Sequence, residues 1–385
     1  MTATCNQTET LKTLKLFTGV DLHNEHFNVY VITQDEIKCD SRKVPTTEEE
    51  VRKYFEPFKG LNIVVAVEIG NLTFWFCDIL EDMGIEYFIV NTLEYNRTSN
   101  SKKKNDKRDA RNLAFDLKRK NLPRVPVFKP GLIQRQLRTL VTHRHQYIKD
   151  RVRTTNRTYS FLSGRGIKVK KRALRDSLKY WEGLFAQLKD LKDFRDKDEA
   201  SFILAELRLY HQDFKRLMGH IKDIENRMRQ LIKERYLRTY NHLVTFPGIG
   251  FVIAGSLIAL VGDWSRFKSG KKLADYVGVA PATRITANKK LKGHGLITKE
   301  GSPLIRSYLI QGGLCIIRSK SKKAIPLQRW YENIRIRKGW KKARVALVRK
   351  VCEIIFAMIR TGTDYDPSLL MKNSKPAAKI VCKNG

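Results

Sequence analysis

Along the first third of the chain, apolar and polar residues alternate with a period of two, in short runs. Residues 15 to 22, KLFTGVDL, and 26 to 33, HFNVYVIT, are rich in β-branched and aromatic residues, and only HNE separates them. That pattern predicts a hairpin. A third strand is expected near EIKCDSRKV. Thr46 or Thr47 then opens a helix with Glu48, Glu49 and Glu50 in its first turn, where carboxylates suit the helix dipole. NIVVAVEIG is a nearly continuous apolar run, as in a strand buried on both faces. A helix around LTFWFCDILEDMG, a strand EYFIVN and a helix from about Asp106 follow.

Three consecutive strands followed by alternating helices and strands is the order of a ribonuclease-H-like, or RuvC-like, α/β domain, expected over residues 14–125. Over 126–240 the period lengthens. Leu207, Tyr210, Phe214, Leu217, Ile221, Ile224, Met228 and Leu231 step by three and four, which predicts a coiled-coil seam or a long antiparallel helix pair. One face of a globular bundle gives the same spacing. SGRGIKVKKRALRD reads as an exposed basic loop between helices. A mostly α-helical domain is expected over 241–370, opening on FPGIGFVIAGSLIALVGD, and a basic tail over 371–385.

Charge narrows the partners. The 385 residues hold 75 Lys and Arg against 39 Asp and Glu, a formal net charge of +36. Such a field favours a polyanion, because each neutralised phosphate releases condensed counterions. No apolar run approaches the roughly 18 residues of a membrane span, and MTATCNQTETLKTLK lacks the apolar core of a signal peptide. A cytoplasmic, nucleoid-associated protein without a membrane partner is the expectation. Cys5, Cys39, Cys77, Cys315, Cys352 and Cys382 are scattered without a C-x-x-C pair, which argues against a zinc site or a disulfide framework.

Four acids have addresses in the predicted order. Asp21 ends the first strand, Glu68 ends the buried fourth strand, and Asp106 and Asp109 share one face of the last helix. Carboxylates converging from separate segments are costly unless a cation neutralises them, and oxygen-only ligands suit Mg²⁺ or Mn²⁺. Two such ions would clamp the attacking and leaving oxygens of a phosphodiester exchange. Each acid also has a plainer reading. An Asp after a strand is commonly a turn former, Asp106 stands where a helix N-cap would, and an Asp among lysines is commonly a solvated ion-pair partner.

GVDLHNEHFNVYVI, VVAVEIGN, KNDKRDARNLA, FPGIGFVIAGSLIALVGDWSRFKSGKKLADYVGVAP, LITKEGSPLIRSYLIQ and KARVALVRKVCEIIFAMIRTGTDYDP resemble, in that order, the blocks of the insertion-sequence 110 transposases, a family that includes the Piv-type DNA invertases. The resemblance runs from about residue 16 to 367. It implies a RuvC-like domain with acids in the order Asp, Glu, Asp, Asp, a coiled-coil middle, and a C-terminal domain with a catalytic serine. The tetrad falls on Asp21, Glu68, Asp106 and Asp109, the same four that fold order selects. The serine would follow the GL-x-P turn by five positions, in a Ser-Gly pair. Five beyond Pro281 stands Thr286, followed by Ala287. A threonine hydroxyl can attack phosphorus, although its methyl restricts χ1 and crowds the approach. Thr283 and Thr298 are neighbouring hydroxyls that could serve instead.

In this reading the protein is a DNA transposase or recombinase acting through a covalent protein–DNA link. The resemblance also implies a structured non-coding guide RNA and a homodimer or homotetramer. The alternatives are a RuvC-type structure-selective nuclease using water, and a catalytically impaired nucleic-acid-binding relative. Lys102, Lys103, Lys104, Lys107 and Arg108 around the helical acids, and Lys289, Lys290, Lys292 and Lys299 near Thr286, are candidate phosphate contacts, or ordinary solvated cations. Gly248 and Gly250 give TFPGIGFVIAGSL the pattern of a helix-hairpin-helix turn whose backbone N–H groups would meet a phosphate, or of a Gly turn between packed helices. Residues 318–350 carry 13 basic residues and one acid, with Trp330, Tyr331 and Trp340 interleaved; charge plus stacking, or helical core packing, would explain them.

Overall fold

The alternation of the N-terminal segments is realised as paired strands. The computed structural model describes residues 14–92, 94–95, 106–190, 197–281, 285–286, 289–290 and 297–372. The chain divides into two units, 1–130 and 131–385.

In the first unit, β1 (Leu16–Leu22) and β2 (His26–Thr33) form the expected hairpin, with Leu16 opposite Thr33 and Leu22 opposite Phe27. β3 (Lys38–Pro45) pairs antiparallel with β2. α1 (Glu48–Phe55) is capped by Thr47, whose side chain accepts from the Glu50 N–H at 3.3 Å. β4 (Ile63–Glu68) lies parallel to β1; after α2 (Thr73–Asp82), β5 (Glu86–Val90) lies parallel to β4. The sheet order is β3-β2-β1-β4-β5, and α3 (Asp106–Lys118) follows.

Side-chain alternation sorts this sheet into two cores. Leu16, Val20, Val65 and Val67 face Phe55, Phe76 and Leu80 of α1 and α2. Ala66 and Val90 face Leu113 of α3. The α3 side of β1 is set by Gly19: a Cβ there would stand 2.0 Å from the Ala110 carbonyl oxygen and 2.6 Å from the Ala114 nitrogen. Only glycine lets the helix lie this close to the central strand.

The second unit is helical. α4 (Leu132–Ser163) and α7 (Lys197–Arg235) run antiparallel: Arg144 donates to Glu225 at 2.8 Å, Tyr147 stacks on His220 at 5.0 Å, and Arg165 donates to Glu199 at 2.9 Å. The three-and-four repeat is therefore met by an antiparallel partner within the same chain. Between them lie α5 (Lys171–Asp176) and α6 (Leu178–Asp190). The pair has two cores. Leu162, Leu174, Trp181, Leu207 and Phe214 fill one end. At the other, Leu137, Leu140, Ile224 and Met228 join the core of α8 (Leu237–Thr245), α9 (Phe251–Val261), α10 (Gly270–Val277), α11 (Pro303–Arg318), α12 (Ile325–Lys338) and α13 (Trp340–Thr361). Among the described residues no helix is long and apolar enough to cross a membrane, and Cys39, Cys77, Cys315 and Cys352 are free thiols.

Candidate functional site

Strand register fixes the first two acids. Val20 is level with Val67 across the parallel β1–β4 pair, so Asp21 and Glu68 are the next residues on adjacent strands, at the carboxyl edge of the sheet. Alternation puts both on the face that carries Gly19 and Ala66, toward α3.

The direction of α3 brings the other two acids to that edge. Its last turn is tied by Lys118 (3.0 Å) and by both prongs of Arg119 (2.9 and 2.7 Å) to Glu36. Glu36 lies just beyond Thr33, which is paired with Leu16 at the start of β1. The helix therefore runs opposite to β1. From Lys118 back to Asp106 is about 18 Å of helix, and from Leu16 to Asp21 about 17 Å of strand, so the lengths agree. Asp106 stands one turn before Ala110 and Asp109 one turn before Leu113, the residues that meet the sheet.

The Tyr95 hydroxyl reports on the same neighbourhood. It donates to Asp116 at 2.6 Å. Burial, that bond and the negative charges of Asp116, Glu68 and Asp109 push its phenol well above the ordinary tyrosine range. His23 Nε2 is 3.0 Å from Asp21 Oδ2. Asp21, Glu68 and Asp109 are half-buried. Among the described residues no three His, Cys, Asp or Glu side chains close on a common point at metal-ligand distance; the Asp106 side chain lies outside them. His23 and Tyr95 were not candidates in the sequence. The two-residue spacing of His23 from Asp21 was a usable signal, whereas Tyr95 had none, because its place depends on the return of α3 across the sheet.

Thr286 lies in the second unit, on a two-stranded ribbon formed by β6 (Ile285–Thr286) and β7 (Lys289–Lys290), with Thr286 opposite Lys289. The root of this ribbon is firmly built. Pro281 bridges Ile297, the Thr298 N–H donates to Ala280 O at 3.0 Å, and Arg306 donates to Val277 O at 3.1 Å. Gly278, Lys299 and Gly301 all take positive φ, at 77°, 55° and 92°. A Cβ on Gly301 would stand 1.9 Å from Tyr276 O. The Thr298 hydroxyl is buried with no hydrogen-bond partner among the described residues. Thr283 and the side chain of Thr286 lie outside them.

Of the candidate phosphate contacts, Arg108 and Lys299 are exposed. Lys289 and Lys290 are placed by their backbone on β7, and Lys107 by its backbone on α3. Lys102, Lys103, Lys104 and Lys292 lie outside the described residues. The two glycines of the FPGIG turn differ. Gly248 has φ 83°, and a Cβ on it would stand 2.5 Å from Gly312 O of α11, so its freedom is used in packing one helix against another. Gly250 is exposed at the start of α9, with open space where a Cβ would be.

Comparison with known proteins bears on both units. Residues 18–165 match a family model described as transposase, of the DEDD type of IS110 elements, and residues 240–326 match the model described as transposase of the IS116/IS110/IS902 family. The protein y4pF/y4sB of Sinorhizobium fredii, whose name marks it as a transposase, is 24% identical over 348 residues, covering 90% of this chain and 84% of its own length. The transposase for insertion sequence element IS1111A of Coxiella burnetii is 29% identical over 146 residues, 38% of this chain and 39% of its own. The pilin gene-inverting protein of Moraxella lacunata is 29% identical over 126 residues, 32% of this chain and 38% of its own.

Proposed function

Because the chain belongs to the insertion-sequence 110 family of transposases, we propose that it cuts and rejoins DNA with the acids Asp21, Glu68, Asp106 and Asp109 and the hydroxyl of Thr286. The observation that carries this reading is the parallel register of β1 and β4, which makes Asp21 and Glu68 neighbours at the edge where α3 begins. The first unit is then read as a ribonuclease-H-like domain over 14–125.

The donor set is all carboxylate oxygen, which fits a hard divalent cation. Asp21, Glu68, Asp106 and Asp109 would hold Mg²⁺ or Mn²⁺. When bound, the ion supplies charge neutralisation at the scissile phosphate. His23, 3.0 Å from Asp21 Oδ2, steadies the Asp21 carboxylate. The oxygen of Thr286 forms a bond to phosphorus while the bond from phosphorus to the leaving deoxyribose oxygen breaks. The threonine proton ends on that sugar oxygen, so the exchange balances without a co-reactant. Lys289, on the paired strand opposite Thr286, with Lys290, Lys292 and Lys299, offsets the phosphate charge. Lys102, Lys103, Lys104, Lys107 and Arg108 hold the strand near the acids, and Gly250 offers the α9 N-terminus to a phosphate.

The family reading extends to a structured guide RNA and to a homodimer or homotetramer. The +36 charge supports two nucleic acids bound together; the RNA would co-purify with the protein from its own cells and be released by high salt.

Incubation with DNA carrying the element ends, the guide RNA and Mg²⁺ should yield a covalent protein–DNA adduct that is absent in Thr286→Ala and retained in Thr286→Ser. An adduct that persists in Thr286→Ala removes Thr286 as nucleophile. The Thr-Ala pair in place of Ser-Gly favours a second reading, a nucleic-acid-binding relative without catalysis; in-cell phenotypes that stay intact in Asp106→Ala and Asp109→Ala would establish it.

A further inference from the structure

The basic segment 318–350 carries three interleaved aromatics, and the structure separates them. Tyr331 is buried at 7% exposure and Trp330 packs against the same core. Trp340 is 52% exposed. It is the first residue of α13, immediately after the single-residue turn that joins α12 to α13. That turn is Gly339, at φ 78° and ψ 162°, a conformation a side chain would resist.

Trp340 sits in a basic run of the chain, in which Arg335 is paired with Glu332 one turn back on α12. Arg335, Arg337, Lys338, Lys341, Lys342 and Arg344 fall within ten residues that contain no acid. Residues 335–342 are exposed without interruption. The Arg344 guanidinium lies 4.8 Å and the Lys341 ammonium 5.5 Å from the indole ring. Ile336, in the last turn of α12, is 65% exposed. An aromatic face on a stiff corner, ringed by cations, is the arrangement that stacks an unpaired base while neutralising its flanking phosphates.

We infer that Trp340 is a stacking platform for an unpaired base of single-stranded DNA, gripped on either side by Arg337, Lys338, Lys341 and Lys342. Duplex DNA hides its base faces, so the corner selects strands that have been opened. A transposase that exchanges strands exposes such bases, and the inference rests on that reading. Its readout is equilibrium binding, so its failure leaves the adduct assay intact, and loss of the adduct leaves the binding readable.

The test is binding of the full-length protein to oligothymidine of about 15 nucleotides, by anisotropy and by quenching of tryptophan fluorescence. Of the five tryptophans, Trp181 and Trp264 are buried and Trp75 and Trp330 partly so, which makes Trp340 the one open to stacking. Wild-type fluorescence should be quenched, and the quench should vanish in Trp340→Phe while most of the affinity remains. Trp340→Ala should bind about tenfold to a hundredfold more weakly, as base–aromatic stacking dictates, with an unchanged dependence on salt. Lys341→Gln with Lys342→Gln should instead flatten the slope of log affinity against log salt by about 0.7 per charge. Equal binding by wild type and Trp340→Ala would overturn the inference. So would a quench that survives in Trp340→Phe, or a loss seen with single-stranded RNA or anionic vesicles and not with DNA.

Discussion

At the scale of single residues, Gly19 decides whether the acid edge exists. A methyl group at that position would meet backbone atoms of α3 at 2.0 and 2.6 Å, and backbone cannot swing aside as a flexible side chain can. Gly19→Ala should therefore lift α3 from β1 and cost about 3 kcal/mol, the upper end of ordinary overpacking. Denaturant unfolding would read this as a lower midpoint, with DNA cleavage falling in parallel.

Glu36 sets the other end of the same helix. The bonds from Arg119, then Lys118, hold its carboxyl down from 4.5 to about 2. A depressed carboxyl contributes its stabilisation fully above about pH 4.5 and loses it as pH falls toward 2. The difference in thermal midpoint between wild type and Glu36→Gln should thus be constant from pH 7 to 5 and shrink below pH 4.5. A difference independent of pH would show that this ion pair does not anchor α3. Neither role is visible in the sequence, where Gly19 is one more strand residue and Glu36 opens the expected third strand, which in the structure starts only at Lys38. Both depend on a helix that begins far along the chain, at Asp106.

Elements were more legible, because period and capping are local. The hairpin, the Thr47 cap and the apolar run of β4 stand where alternation predicts them. The direction of the long repeat was less so: three-and-four spacing identifies a helical face, and the Arg144–Glu225 and Arg165–Glu199 pairs with the Tyr147–His220 stack show an antiparallel intrachain partner. The far end of that pair has its own core, in which Trp181 is fully buried and donates to Leu174 O at 2.8 Å. Trp181→Ala should cost about 3–5 kcal/mol and act locally. Hydrogen exchange should accelerate in α5, α6 and the adjoining ends of α4 and α7, while Leu257 and Val348 in the larger core keep their protection. Uniform loss of protection across both cores would contradict that independence. Composition could not divide Trp330, Tyr331 and Trp340 into core and surface, since all three lie in the same basic run.

For the whole molecule, charge and the match to transposases point the same way. With +36 spread over 385 residues, binding to duplex DNA should weaken by about a thousandfold or more between 50 and 200 mM salt, if six or more phosphates are engaged. A shallow salt dependence would mean that most of this charge serves something other than nucleic acid. Fold order alone selected Asp21, Glu68, Asp106 and Asp109, because strand ends and a helix start have fixed addresses in a ribonuclease-H-like order. The proposed nucleophile, Thr286, could not be reached that way; a residue on a two-stranded ribbon has no address that periodicity can read.

The acid edge is the centre of the account, and Glu68 is the acid whose position rests most fully on register. The most direct measurement is strand cleavage of DNA carrying the element ends, in Mg²⁺, by wild type and Glu68→Gln at matched folded concentration. The account predicts a loss of at least about a hundredfold for Glu68→Gln, as expected when a metal-holding charge is removed, with its thermal midpoint without metal unchanged or raised because one like charge has gone. Cleavage by Glu68→Gln within twofold of wild type would contradict it.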